Sequence, residues 1–131
     1  MNKTQQPGAA PKTILLVEDD RDIQDALIDL LEGEGYVVRS AANGQEGIDS
    51  LQTEGLPDLI LLDLMMPVKD GTQFRQEQKA DPRISQVPVL VMSADTKVLE
   101  KSTAIGARGF LRKPIEVEDL LREVAAILSE A

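Results

Sequence analysis

The chain has 131 residues, 42% of them hydrophobic but only two Phe, one Tyr and no Trp, so it can form one domain with an aliphatic core. Acidic residues outnumber basic ones by 23 to 14, a net charge of −9, which disfavours binding to nucleic acid backbones or anionic lipid. The absence of Cys and His excludes disulfides, thiolate or imidazole metal sites, a Ser-His-Asp triad and any role as a phosphohistidine donor.

Residues Met1 to Pro11 are polar, with two Pro and one Gly, and read as a disordered lead-in to a domain spanning 12–131. No apolar run approaches the roughly 20 residues of a membrane span, and the N-terminus has no hydrophobic signal core. A cytoplasmic location is the default expectation.

From Thr13 onward two kinds of segment alternate. Ile14–Val17 is a short continuous apolar run, as in a strand buried on both faces. A helical stripe of Ile23, Leu27, Leu30 and Leu31 follows, with Asp20 as its cap and Gly33 and Gly35 as its stop. Tyr36–Val38 reads as a second strand. Asn43 caps a helix carrying Ile48 and Leu51, which Gly55 and Pro57 end.

Leu59–Leu62 is a third buried strand, followed by a loop from Met66 to Gly71 dense in turn residues. A helix over 72–80 is expected, though its apolar face is poor. Val87–Met92 reads as a fourth strand, with Pro88 at its start. A helix over 96–105, a short strand at Gly109–Leu111 and a helix over 116–129 complete the pattern. The last helix has a clean stripe of Leu120, Leu121, Val124, Ile127 and Leu128.

Five strand-then-helix units predict an α/β fold, a doubly wound five-stranded parallel sheet flanked by five helices. In such sheets the loops at the carboxyl ends of the strands build the site. Glu18, Asp19 and Asp20 end the first strand and Asp63 the third. Ser93 and Asp95 end the fourth strand, and Lys113-Pro114 the fifth.

Three carboxylates in one cleft repel one another unless a cation offsets them. Oxygen donors without His or Cys select Mg²⁺, which favours phosphate oxygens as co-ligands. A carboxylate can itself attack phosphorus to form an aspartyl phosphate. The Lys113 ammonium and the Ser93 hydroxyl would stabilise the charge of the transferred group.

These motifs, in this order, resemble the receiver domain of two-component response regulators, over about residues 12–129. The resemblance rests on Val17-Glu18-Asp19-Asp20, on Asp63 with Met66-Pro67-x-x-Asp70-Gly71, on Val91-Met92-Ser93-Ala94, and on Gly109-Phe110-Leu111-Arg112-Lys113-Pro114. It implies a (βα)5 flavodoxin-like receiver fold, similar to single-domain chemotaxis-type receivers. Asp63 would be the phosphoacceptor. Asp19, Asp63 and the backbone carbonyl of Met65 would ligate Mg²⁺, with Glu18 holding a metal-bound water. Lys113 would pair with the acceptor or its phosphoryl group, Ser93 would bond a phosphoryl oxygen, and Phe110 would be the switch aromatic. Pro114 would follow a cis peptide bond.

The implied donor is a phosphohistidine on a sensor histidine kinase or histidine phosphotransfer protein. The implied output is a protein that reads a surface of the fourth helix, fifth strand and fifth helix, reshaped as Ser93 and Phe110 move. The chain ends at the fifth helix, so no output domain is expected within it. It would be a stand-alone receiver or part of a longer protein, monomeric or dimerising on phosphorylation.

Three departures stand out. Met65 and Asp95 occupy the two positions that tune phosphoryl lifetime in the family. Arg75 and Gln78 stand where members usually bury apolar residues, which implies a short or loosely packed third helix. Gly47 replaces the usual Ala inside a helix, at a cost of about 1 kcal/mol. An aspartate-nucleophile phosphatase would also need Mg²⁺ and Lys, but it usually has a second Asp where Met65 stands. A flavodoxin-type phosphate cradle is disfavoured by Glu18-Asp19-Asp20. The alternative within the same fold is a phosphorylation-independent interaction module, but such modules usually lose an acidic residue, the acceptor or the lysine.

Overall fold

The computed structural model describes residues 10–129. Residues 1–9 of the expected lead-in lie outside them, while Ala10 and Pro11 are exposed and precede the first strand. The elements run β1 (Thr13–Val17), α1 (Arg21–Gly33), β2 (Val37–Ala41), α2 (Gly44–Thr53), β3 (Leu59–Asp63), α3 (Gly71–Ala80), β4 (Val89–Ser93), α4 (Val98–Ala104), β5 (Gly109–Arg112) and α5 (Val117–Ser129). All strand pairs are parallel, in the order β2-β1-β3-β4-β5.

The alternation of side chains along a strand explains the two layers of helices. Leu15, Val17, Ile60, Leu62, Val89 and Val91 face one way and meet Ile48, Leu51, Phe74, Val98 and Ile105 from α2, α3 and α4. Ile14, Leu16, Leu59, Leu61, Leu90 and Met92 face the other way, against Leu27, Leu31, Leu120 and Val124 of α1 and α5. The continuous apolar runs are therefore central strands covered on both sides. The chain winds from β1 outward to β2 and then back across to β3. Its direction reverses between β1 and β3, and a crevice opens at their carboxyl ends.

Four expectations need correction. The second strand is Val37–Ala41 rather than Tyr36–Val38. The Tyr36 N–H donates to the Leu31 carbonyl and belongs to the turn that closes α1, while Arg39 and Ser40 lie on the half-covered edge strand. The fourth strand starts at Val89, because Val87 N–H bonds back to Ile84 and Pro88 has no N–H to offer. The fourth helix is Val98–Ala104, shorter than 96–105, since Asp95 holds the Lys97 amide in a turn.

The fourth correction concerns α3, which is firmly tied. Arg75 and Gln78 are buried, Gln78 completely; each donates two hydrogen bonds to backbone carbonyls, and Arg75 donates a third to the Gln78 side chain. The helix also starts with a reciprocal cap, in which Asp70 accepts from the Gln73 N–H and the Gln73 side chain accepts from the Asp70 N–H. Asp20 and Asn43 cap α1 and α2 as expected, accepting from Ile23 and Glu46 N–H at 3.1 and 2.9 Å.

Gly47 has a steric reason that helix propensity does not contain. A Cβ there would lie 2.8 Å from Phe74 Cε2 and 3.2 Å from Val17 Cγ2, and the Phe74 ring is completely buried. Gly47→Ala should therefore destabilise the fold by about 1–3 kcal/mol, against the gain of about 1 kcal/mol that helix propensity alone assigns to it. A urea denaturation midpoint at or above that of the parent protein would refute this packing argument.

Candidate functional site

The crevice gathers side chains from four loops. β1 ends in Glu18, whose N–H donates to the Ala41 carbonyl at 3.0 Å and whose own carbonyl accepts from the Gln24 side chain at 2.6 Å. These bonds turn the Glu18 side chain into the crevice, where it is wholly buried. Glu18 Oε2 accepts from the Asp20 N–H at 3.1 Å. Asp19, next along the chain, is exposed.

β3 delivers Asp63, which is 3% exposed. Its Oδ1 accepts from the Met65 N–H at 3.0 Å, so the loop folds back over the carboxylate. Gly71 makes this possible: its N–H donates to the Leu64 carbonyl, and a Cβ there would lie 2.6 Å from the Asp63 carbonyl oxygen. Met65 itself is largely exposed at the crevice edge.

β5 and the turn after it supply Lys113. Its backbone N–H donates to the Ser93 carbonyl at 2.9 Å, and the bond to Pro114 is cis. The Lys113 ammonium donates to Glu18 Oε1 at 2.7 Å and to Asp63 Oδ2 at 3.1 Å. Ser93, at the end of β4, is buried, and its Oγ accepts from the Asp95 N–H at 3.0 Å.

Phe110 is half-buried on β5. It pairs with Val91, and Arg112 pairs with Ser93, so by strand alternation Phe110 shares a face with Ser93. The Arg112 guanidinium lies 5.6 Å from the centre of the Phe110 ring. Asp95 lies beyond Ser93 with its carboxylate committed to α4. It accepts from the Lys97 N–H at 2.7 Å and pairs with Lys101. The Lys101 ammonium, ahead of the Lys97 amide, holds the Asp95 carboxyl below the usual carboxylate range.

The electrostatics of the crevice centre on Glu18. Burial pushes its carboxyl up from 4.5 to about 7. The hydrogen bonds from Lys113 and the Asp20 N–H oppose that rise, and the charge of Asp63 adds to it. Lys113 moves up as well: burial alone would lower it, but the hydrogen bond it donates to Glu18 and the charges of Asp63 and Glu18 outweigh that. One ammonium therefore does not fully offset the buried carboxylates. Glu18, Asp19 and Asp63 each bring one carboxylate oxygen within 4.8 Å of the other two. A set of hard oxygen donors with residual negative charge suits a divalent cation such as Mg²⁺.

Of the residues singled out in the sequence, Glu18, Asp19, Asp63 and Lys113 come together in this crevice. Ser93 lies at the neighbouring strand end, bonded to the Lys113 N–H through its carbonyl, Phe110 packs against the core on β5, and Asp20 serves as the α1 cap. Two features escaped the sequence reading. Lys113 pairs with Glu18 as well as Asp63. Gln24 is buried and holds the Glu18 backbone. Its signal was its place on the α1 stripe, at i, i+3 and i+7 with Leu27 and Leu31.

Residues 14–125 match the response regulator receiver domain. The chain belongs to that family. It is similar to the DNA-binding dual master transcriptional regulator RpaA of Synechocystis, 38% identical over 117 residues, covering 88% of this chain and 48% of that protein. It is also similar to the transcriptional regulatory protein YkoG of Bacillus subtilis, 40% identical over 120 residues and covering 89% and 51%. The receiver thus spans about half the length of these curated relatives.

Solved structures agree. A putative response regulator from Chloroflexus aurantiacus superposes with a TM-score of 0.86 at 31% identity, covering 92% of this chain and 99% of the other. The receiver domain of a Pseudomonas aeruginosa sensor histidine kinase, which holds a magnesium ion in its active-site cleft, gives 0.84 at 29% identity, with the same coverage. Among the described residues, no helix is long and apolar enough to cross a membrane.

Glu18 generates a pH prediction. Its folded-state pKa lies above its unfolded value, so its contribution to stability is fully present below 4.5 and is lost as pH rises through about 7. At about 1.4 kcal/mol per unit, the penalty at neutral pH without divalent cations amounts to a few kcal/mol. Urea denaturation in chelator should show Glu18→Gln gaining stability relative to the parent between pH 5 and pH 8. An equal offset at both pH values would contradict the assignment.

Proposed function

We propose that this receiver accepts a phosphoryl group on Asp63, in a Mg²⁺-dependent transfer from a phosphohistidine, and presents the change to a protein partner. The observation that carries this reading is the position of Asp63. It is a nearly buried carboxylate with Glu18 and Asp19 in reach, and the Lys113 ammonium, 3.1 Å away, bonds both Asp63 and Glu18. Receiver domains interact with histidine kinases or histidine phosphotransfer proteins, which supports that donor class.

In the transfer, an Asp63 carboxylate oxygen forms a bond to phosphorus as the bond from phosphorus to the donor imidazole nitrogen breaks. Asp19, Asp63 and the Met65 carbonyl would hold the cation, with Glu18 behind a bound water, and the cation would supply positive charge to the phosphoryl oxygens. Lys113 holds the acceptor in place and counters the charge that arrives. The Ser93 hydroxyl has to exchange its bond from the Asp95 N–H for one to a phosphoryl oxygen. Its movement leaves room on the Phe110 side of the strand pair and alters the α4–β5–α5 face. Lys97 and Lys101 engage the Asp95 carboxylate, which restrains it from the water that would hydrolyse the phosphoryl group. A cytoplasmic location fits this reading.

Incubation with acetyl phosphate and Mg²⁺ should raise the intact mass by one phosphoryl group. The gain should disappear in Asp63→Asn and on chelation of the metal. An unmodified parent protein, or an Asp63→Asn variant that still gains the mass, would overturn the assignment.

A further inference from the structure

Arg75 is the feature of α3 that the phosphoryl chemistry leaves unexplained. Its guanidinium is buried, with no carboxylate partner among the described residues. Taking a guanidinium out of water is costly unless it is hydrogen-bonded, and here each of its three nitrogens donates one bond. Nε donates to the Ile105 carbonyl at 2.9 Å, Nη2 to the Gly106 carbonyl at 3.1 Å, and Nη1 to Gln78 Oε1 at 2.7 Å. The Gln78 amide nitrogen, in turn, donates to the carbonyls of Ile84 and Val87 at 3.0 Å each. One polar strut thus joins the end of α4 to the segment that leads into β4.

The target carbonyls belong to the residues that terminate α4. Ile105 is its C-cap, and Gly106 turns the chain with φ +70°. Backbone carbonyls at a helix C-terminus carry partial negative charge, so a cation there is well placed. The opposite end of α4 is built differently. Its N-cap, Lys97, offers no side-chain hydrogen bond, and the turn is held by the Asp95 carboxylate, itself beside Ser93. The exposed pair of Asp95 with Lys101 is the weak kind of ion pair. A seven-residue helix is therefore pinned by buried side-chain hydrogen bonds at the end far from the crevice, while the end that borders it is held by the packing of the buried Val98 and by the bonds of Asp95.

We infer that Arg75 is a positioning residue that makes the C-terminal end of α4 the fixed pivot of this receiver, so that a change at Ser93 moves only the N-terminal end of the helix. The reach of the Ser93 and Asp95 bonds then sets where the helix starts, and the Arg75 strut sets where it stays. This rests on the reading of Asp63 as acceptor for the trigger, but not for the strut itself.

Amide hydrogen exchange on the full chain tests both parts. In the unphosphorylated protein, Arg75→Met should make the amides of Ile105, Gly106 and Ala107 exchange about tenfold faster or more, the effect of stripping buried carbonyls of a charged donor. Arg75→Lys, which keeps the charge with a single donor head, should fall between the two and serves if the Met variant does not fold. Unchanged exchange at these three amides in a folded variant overturns the strut.

With acetyl phosphate and Mg²⁺, the parent protein should lose protection at Lys97, Val98 and Lys101 while Ile105 to Ala107 hold. In phosphorylated Arg75→Met, both ends should loosen. Equal loosening of both ends in the phosphorylated parent overturns the pivot. An absence of mass gain in the parent overturns the acceptor reading and leaves the Arg75 result standing on its own.

Discussion

One ammonium group organises the working end of this molecule. Lys113 reaches into a corner formed by β1 and β3 and bonds two carboxylates that are almost wholly removed from water. Without it, Glu18 and Asp63 would face each other with nothing between them. Even with it, burial pushes Glu18 up to about 7, and the charge of Asp63 adds to that rise. The fold tolerates this because its sheet is over-determined by apolar packing on both faces. The remaining imbalance is what a divalent cation and a phosphoryl group would answer.

Close approach of backbones supports the corner as much as charge does. Gly71 lets the loop after β3 lie on the Asp63 main chain, and Gly47 lets α2 press on Phe74. Gln24 and Asp20 fix the loop after β1 from the α1 side. Each of these contacts trades side-chain bulk or helix propensity for position. The family match and the superposed structures fit this economy, in which most of the scaffold serves to place four side chains.

Much of this was legible along the chain. Ile14–Val17 and Leu59–Leu62 announced central strands because a strand covered on both faces must be apolar throughout. Asp20 and Asn43 announced helix starts because short polar side chains satisfy free N–H groups. β2 was read short because an edge strand is only half covered, so Arg39 and Ser40 conceal it. Arg75 and Gln78 were read as signs of loose packing, because a polar side chain on a helix face looks solvated until its partners in other loops are known.

By itself the sequence determined the inventory: which residue types end which strands, that only hard oxygen donors are available, and that aliphatic side chains must build the core. The tertiary structure decided who faces whom. Lys113 meets Glu18 across 95 positions and Asp63 across 50, and Arg75 finds the end of α4 some 30 positions on. Such pairings follow from strand order and helix placement, which local propensity does not encode. Burial then changed the chemistry of the groups it joined, turning an ordinary glutamate into one that titrates near neutrality.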